Sequence, residues 1–446
     1  MLIAVACLSW VAIANGFPLV FSDTGTYLAT ALQFRYPLDR PPVYGLAILL
    51  PVRLAGPWGI VAVQAIGSVL LLHPALTIGR GPLRPTLWLA ACILLAIGSS
   101  LPWLVGQIMP DLATGFLPLV IFALMARPGA AMPRWHRLGL TGILALLIGV
   151  HLSHIPLSVG LLALTIGGLC LTGVPIRQAI RRAVAPAAAI ALSVLGLSSM
   201  NLIAEDEFKP SLSSDMFILA RLLDGHVAQP VLARLCATQP LVHCAIRPLV
   251  DDPRSEKPGQ AYLWDPRSPL LTPALSKDRA RTVAEQKRII HAVLREDPMG
   301  VLALGGRGFV AQLTTVRTGV LPPYGPEMNI SHVLATSLPT EMPAFRHGLQ
   351  QRDALNRLKI FPDVAIAGTI AALLPVMALW AARRRRWPLL GLMALVAATL
   401  LLNAAVTGAL SGPDDRYQSR VLWLLPLVAI RFLLEWRSAQ KAASRP

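Results

Sequence analysis

Residues 387–409 read WPLLGLMALVAATLLLNAAVTGA, an uncharged run that directly follows the four arginines Arg383–Arg386. A helix needs about 20 mostly apolar residues to cross the hydrocarbon core of a bilayer. Arginine and lysine accumulate in the cytoplasmic loops beside such helices. This stretch therefore predicts a membrane-spanning helix whose first residue lies near the cytoplasm.

The composition of the whole chain agrees with this local pattern. Its 446 residues are 54% hydrophobic and 14% charged, whereas soluble domains carry about 25% charged residues. A soluble enzyme and a disordered chain are both excluded as function classes. The net charge of +17 is explained by cationic cytoplasmic loops, so we expect no nucleic-acid partner.

Together with 387–409, the other apolar runs predict an all-α polytopic membrane protein with about ten transmembrane helices. The candidate spans are 1–21, 58–78, 86–105, 112–126, 138–154, 156–173, 184–203, 361–381, 387–409 and 420–434. The first run lacks a basic leader and a small-residue cleavage site, so we expect it to be retained. The run 43–54 contains Pro51 and Arg53 and is too short to span, which predicts a juxtamembrane helix lying at the surface.

Basic residues predict the orientation of these spans. The loops after the even-numbered spans and the C-terminal tail hold Arg80, Arg84, Arg127, Arg134, Arg137, Arg177, Arg181, Arg182, Arg383–Arg386, Arg437, Lys441 and Arg445. The bias places both termini in the cytoplasm and the long polar segment outside. The predicted location is the inner (plasma) membrane of a bacterium.

The chain divides into three predicted parts. An N-terminal membrane module covers 1–203, with a first outer loop at 22–57. An extracytoplasmic domain covers 204–360, and a C-terminal membrane module with a cytoplasmic tail covers 361–446. Amphipathic patterns at 213–225 and 276–297, and a further segment at 339–358, predict a mostly helical insert.

Two cysteines lie close together in the predicted outer domain. Cys236 and Cys244 are separated by eight positions in a polar segment. In an oxidising compartment these residues are candidates for a disulfide, and two free thiols are the alternative.

Acidic residues are concentrated on the predicted outer side. Seventeen of the 23 acids lie between Glu205 and Asp363. Five of the other six map to short outer loops at helix ends, namely Asp23, Asp39, Asp111, Asp414 and Asp415. Acids at the edge of hydrocarbon are costly, which favours a functional role for some of them.

Three short outer loops carry a recognisable pattern. The first reads FSDTGTYLATALQFRYPLDRPPVYG at 21–45, the second contains QIMPD at 107–111, and the last reads SGPDDRYQSRVLWLLPL at 411–427. In these motifs and in the layout of spans, the chain resembles the GT-C glycosyltransferases, integral membrane enzymes that use polyprenyl-phosphate-linked sugars. Protein mannosyltransferases and lipid A aminoarabinose transferases are members of that superfamily. Thr24 stands where many members have a second acid.

The resemblance implies transfer of a sugar from a polyprenyl-phosphate donor in the membrane lipid to an extracytoplasmic glycan, lipid or protein. Asp23 is the candidate general base for an inverting displacement. Asp111 is expected to orient the acceptor or to join Asp23 at a divalent cation, Mg²⁺ or Mn²⁺, although no cofactor is specified. Arg40 and Arg416 are expected to hold the lipid phosphate. Tyr27, Tyr44 and Tyr417 are candidate substrate contacts.

Simpler roles remain open for each of these residues. Asp23 and Asp111 are also suited to cap helices, and the tyrosines to lie at the membrane interface. Arg416 has Asp414 and Asp415 as neighbouring partners. His151 and His154 either bind a metal or are satisfied by neighbours. At the level of function, the alternatives are a transporter or flippase of lipid-linked glycans, and a glycan polymerase or ligase.

Overall fold

The structure is a computed structural model that describes residues 1–77, 82–125, 132–252, 254–268, 270 and 278–443, with no side-chain description for 441–443. Regular structure within these ranges is helical, and no strand occurs in them. One isolated parallel bridge joins Leu19 to Gln107. Arg80, Arg127 and Arg445, together with the predicted segment ends at 78, 126 and 276–277, lie outside the described residues.

Five helices are long and apolar enough to cross a membrane, by their length and composition. They are Val43–Thr77, His154–Leu171, Ile176–Glu205, Leu355–Arg383 and Trp387–Leu410. Two shorter apolar helices are Pro85–Gly98 and Asp111–Met125. The prediction of an all-α protein is confirmed for the described residues, and the five long helices indicate an integral membrane protein.

The chain forms two compact units. The first contains 1–211, 315–403 and 415–446. Its helices include Leu2–Leu8, Trp10–Asn15, Thr24–Gln33, Val43–Thr77, Pro85–Gly98, Leu101–Gly106, Asp111–Met125, Arg134–Gly149, His154–Leu171, Ile176–Glu205, Asn329–Ser337, Met342–His347, Ile360–Gly368, Leu374–Arg383, Asp415–Leu422 and Leu424–Ala443. The helix Trp387–Leu410 contributes its residues up to Asn403 to this unit.

The first predicted span is shorter than its apolar sequence. It forms the helices Leu2–Leu8 and Trp10–Asn15 and ends at Gly16, whose φ of 81° is left-handed. Such a residue commonly terminates a helix, and glycine adopts it without steric cost. The chain from Gly16 to Ser22 is therefore released from the helix before Asp23.

The third predicted span is also interrupted, but at an extended residue. Helix Pro85–Gly98 ends at Ser99, which is extended, and Leu101–Gly106 follows. Ser99 Oγ donates to the carbonyl of Leu95 and accepts the backbone N–H of Leu101. A serine side chain that satisfies backbone groups in this way competes with the helical pattern.

The run 43–54, which the sequence predicts to be a juxtamembrane helix, is separated from the residues after it by a backbone break. Ala55 and Gly56 leave the helical conformation inside Val43–Thr77, and Gly56 has a φ of 59°. Pro57 follows directly. The break turns the helix at the boundary expected from the sequence.

The second compact unit covers 212–314 and 404–414, so its boundary at Thr314 differs from the predicted end of the insert at 360. Its helices are Ser214–Asp224, Gln229–Thr238, Arg247–Val250, Pro258–Trp264, Arg279–Glu296 and Pro298–Thr314. Leu219, Leu232, Ile246 and Ile289 are fully buried in its core. Cys236 and Cys244 form a disulfide in this unit, with Cα atoms 5.6 Å apart.

Residues 315–360 pack with the first helices, which explains the different boundary. Gln350 bonds both the N–H and the carbonyl of Val20, and its own N–H donates to Asn15 Oδ1. A Cβ on Gly25 would lie 2.8 Å from Ile330 N, so the two helices approach closely only because residue 25 is glycine. This packing holds the connection that carries Asp23.

Candidate functional site

Hydrogen bonds of the neighbouring residues hold the backbone that carries Asp23. The bridge at Leu19 fixes the preceding backbone against Gly106–Ile108. Thr24 accepts the N–H of Phe21 and donates to the carbonyl of Ile108 at 3.0 Å. Thr24 is thus a fully buried link between two connections.

Asp111 enters the same site from the second connection. It is the first residue of the helix Asp111–Met125 and is 1% exposed. The turn at Pro110 precedes it, with Ala113 N–H bonded to the Pro110 carbonyl. The carboxylate thus lies at a helix start inside the protein.

Arg416 joins the two predicted catalytic acids. Its Nε lies 2.9 Å from Asp111 Oδ2, and its Nη1 lies 3.1 Å from Asp23 Oδ2. These partners are 305 and 393 residues away in the sequence. The guanidinium also lies over the ring of Phe21, 4.5 Å from its centroid. Arg416 therefore does not pair only with its sequence neighbours, and Asp415 lies 3.6 Å from Arg317.

Arg40 lies on the other side of Asp23. Its Nη1 is 3.0 Å from Asp23 Oδ1, and its Nε donates to Asp39 Oδ2 at 3.1 Å. Both oxygens of Asp23 thus accept from arginines. Asp23 is 26% exposed, whereas the side chain of Arg40 is 13% exposed.

Arg420 is a member of the site that the sequence analysis missed. Its side chain is fully buried, and its Nη1 lies 3.4 Å from Asp111 Oδ1. It also donates to Asn403 Oδ1 and to Ser153 Oγ. The signal was present, because residues 416 and 420 are spaced by four and share one face of the helix Asp415–Leu422.

The six charged groups form one chain of alternating sign. Its order is Asp39, Arg40, Asp23, Arg416, Asp111 and Arg420. Three acids and three arginines give no net formal charge. Such an arrangement reduces the cost of burying ions, because each is paired and hydrogen-bonded.

The titration of Asp23 reflects this pairing. Burial would raise the pKa of the carboxyl, but Arg416 and Arg40 together outweigh burial and hold the pKa below its usual value. Asp23 is therefore ionised at neutral pH. An ionised carboxylate is the form that a general base requires.

The predicted tyrosine contacts occupy different places. Tyr27 and Tyr44 are buried and pack edge to face, with ring centroids 4.9 Å apart. Tyr44 donates to Gln64 Oε1, and Arg40 lies over the Tyr27 ring. Tyr417 lies beside Arg416 and Arg420, with its ring centroid 5.7 and 5.3 Å from their guanidinium carbons.

His151 and His154 have protein partners. His154 Nδ1 donates to the Leu147 carbonyl, and its Nε2 accepts from Thr114 Oγ1 at 2.8 Å. Ser153 N–H donates to His151 Nδ1. Their rings lie 5.2 Å apart. Both ring nitrogens of His154 are thus used by protein partners, which argues against a metal site shared by the two histidines.

The two aspartates are the expected ligands of a divalent cation. Asp23 and Asp111 each direct an Oδ2 atom to Arg416, so a cation already lies between them. No group of three His, Cys, Asp or Glu side chains suited to a metal occurs among the residues that the structure describes. The carboxylates in this arrangement do not fit a shared metal ion.

Comparison of the chain with protein-family models, with curated proteins and with solved structures gives no match.

Proposed function

We propose that this protein is an integral membrane glycosyltransferase of the GT-C type. It transfers a sugar from a polyprenyl-phosphate donor to a hydroxyl group of an extracytoplasmic glycan, lipid or protein. The observation that carries the proposal is the convergence of Asp23, Asp111 and Arg416, from three separate connections, in one partly buried cluster.

The proposal includes the finer topology expected from the sequence. About ten spans, both termini in the cytoplasm and a bacterial inner-membrane location place the three connections on the outer side. Pro85–Gly98 and Asp111–Met125 are apolar but short helices. In this proposal they are two of the additional spans. Cysteine labelling of each loop in intact cells would test this orientation.

In the proposed reaction, Asp23 removes the proton of the acceptor hydroxyl. The acceptor oxygen forms a bond to the anomeric carbon while the bond from that carbon to the phosphate oxygen breaks. The polyprenyl phosphate leaves with the electron pair, and Arg40 and Arg416 hold its charge. A single displacement of this kind inverts the configuration of the anomeric carbon.

The ion pairs suggest how the donor prepares the base. Both oxygens of Asp23 are held by Arg40 and Arg416. A phosphate that binds these arginines competes with Asp23, and the released carboxylate keeps its burial while losing its cations. Its pKa then rises toward the range in which a carboxylate accepts a proton effectively. Asp111 retains Arg420 and serves to position Arg416.

The Asp23→Asn variant tests the proposal. We expect transfer to fall by about 10²–10⁴-fold, the usual contribution of a general base. Asp39→Asn is the matched control, because Asp39 has similar exposure and also contacts Arg40. Sugar transfer from polyprenyl-phosphate donors is measured in proteoliposomes, and the anomeric configuration of the product by NMR. Full activity in a correctly inserted Asp23→Asn protein would remove Asp23 from the mechanism, and lipid-linked glycan transport without transfer would replace the proposed function.

A further inference from the structure

A narrow cleft that opens to the surface has Arg416 in its wall. Its other walls come from the connections before Asp23 and Asp111 and from residues 318–321. Most of the lining is apolar, with Phe21, Leu104, Val320 and Leu321 among its side chains. The cleft thus combines an apolar surface with one guanidinium.

Two buried polar atoms in this lining are unsatisfied. Trp103 Nε1 and Thr318 Oγ1 have no hydrogen-bond partner within the described part of the chain. Trp103 is 3% exposed and Thr318 is 4% exposed. Native proteins pair the great majority of such groups, so an unpaired one needs an explanation. A ligand that accepts their hydrogen bonds supplies it.

The two serines of the cleft are already hydrogen-bonded within the protein. Ser100 Oγ donates to the Ser419 carbonyl, and Ser419 Oγ donates to the Arg416 carbonyl. The backbone N–H of Thr318 donates to Asp363 Oδ1, which holds the backbone of Thr318 in place. Among the described residues, Trp103 Nε1 and Thr318 Oγ1 are the fully buried side-chain polar atoms of this lining that lack a partner.

The donor groups at the cleft suit a ligand that carries acceptor oxygens. Lys359 Nζ lies over the Trp103 ring, 5.2 Å from its centroid, and donates to the Gly319 carbonyl. A Cβ on Gly319 would lie 2.9 Å from the Arg416 Cα, so this segment lies directly against Arg416. An indole N–H, a hydroxyl and a guanidinium all donate to oxygen, and a guanidinium matches phosphate geometry.

We propose that this cleft binds a phosphoryl group carried on an apolar chain, with Trp103, Thr318 and Arg416 as its hydrogen-bond donors. The apolar walls hold the first part of the chain. The identification of the ligand with the donor lipid rests on the proposed function, whereas the position of the phosphoryl group rests on the geometry of the cleft.

The test uses the full chain in detergent and three probes: farnesyl phosphate, inorganic phosphate and farnesol. Calorimetric titration is carried out with the wild type and with Trp103→Phe and Thr318→Val, which each remove one polar group and keep the shape. Trp88→Phe and Ser158→Ala are matched controls, because Trp88 Nε1 and Ser158 Oγ are also unsatisfied but lie outside the cleft. Thermal unfolding of each variant shows that it is folded.

We expect farnesyl phosphate to bind and each cleft variant to weaken it about tenfold, which corresponds to about 1.4 kcal/mol. The controls are expected to bind as the wild type does. If the cleft variants weaken the binding of inorganic phosphate as they weaken that of farnesyl phosphate, the site accepts both free and lipid-borne phosphate. If only farnesyl phosphate binds, the site is specific for a lipid phosphate. Equal binding of farnesol, or cleft variants within twofold of the wild type, would overturn the proposed cleft site.

The outcomes separate this inference from the proposed function. If sugar transfer occurs but the cleft variants bind the probes normally, the function stands and the cleft assignment fails. If the cleft binds the phosphate probes but no sugar is transferred, the site stands and the function fails. Failure of all phosphate probes to bind the wild type would overturn the cleft site.

Discussion

Replacement of Asp111 by asparagine is the sharpest test of the ion-pair chain. The carboxylate is 1% exposed and accepts from Arg416 at 2.9 Å and from Arg420 at 3.4 Å. Asparagine keeps the shape but removes the charge. In this variant Arg416 still faces the carboxylate of Asp23. The other contacts described above for Arg420 are with Asn403 and Ser153, which are both neutral.

The expected magnitude follows from this burial. Removing one partner of a buried ion pair costs about 3–5 kcal/mol, because the remaining charge lacks compensation. Asp23→Asn is expected to lower the free energy of unfolding by about 1 kcal/mol, since water reaches a carboxylate that is 26% exposed. Asp111→Asn should therefore be clearly the more destabilising of the two variants.

Equilibrium unfolding in mixed micelles, followed by tryptophan fluorescence, measures the difference. Trp423 is a suitable reporter because it packs against Phe116, in the helix that begins at Asp111. The double variant Asp111→Asn/Arg420→Met should recover part of the loss, because the uncompensated guanidinium is gone. An Asp111→Asn protein as stable as Asp23→Asn, or a double variant with simply additive losses, would refute the reasoning.

Three further predictions concern pH and the disulfide. Because the fold lowers the pKa of the Asp23 carboxyl, the ionised carboxylate stabilises the protein above the ordinary pKa of 3.8, and this stabilisation is lost as the pH falls below that value. The fall in the free energy of unfolding at acidic pH should therefore be less steep in Asp23→Asn. In the second unit, burial lowers the pKa of His243 and outweighs the opposing effect of Glu285. The unit should therefore lose stability as the pH falls below about 6.5, and melting temperatures measured over a series of pH values should not show this loss in His243→Gln. Reduction of the Cys236–Cys244 disulfide, which closes a loop with a sequence separation of 8, should destabilise that unit by about 2–3 kcal/mol, measured as the shift of unfolding with and without dithiothreitol; no shift would contradict the estimate of loop entropy.

The His243 prediction rests on the direction of a buried hydrogen-bond chain. Gln286 donates to the Tyr262 hydroxyl, which leaves the Tyr262 proton for His243 Nε2 at 3.2 Å. His243 Nδ1 then donates to Glu285 Oε2 at 2.9 Å. The imidazole is neutral in this arrangement, so a protonated ring would lose its bond from Tyr262.

Local sequence patterns predicted the longest apolar helices and one of their interruptions. The uncharged run at 387–409 appears as the helix Trp387–Leu410, and the expected separation of 43–54 appears as a break at Ala55 and Gly56. The early end at Gly16 was not predicted, because the residues beyond it are as apolar as those before it. An apolar composition indicates that a segment is buried, but it does not distinguish a helix from an extended segment held by hydrogen bonds.

The sequence by itself determined the helical class, the membrane character and the acids and arginines available at the helix ends. Tertiary structure alone decided that Asp23, Asp111 and Arg416 share one cluster, that Arg420 completes it, and that 315–360 packs on the first helices. The physical reason is that apolar periodicity reports which face is buried but not against which neighbour, since lipid and protein are equally apolar partners for a helix. Contacts spanning 305 and 393 residues depend on the packing of the whole unit.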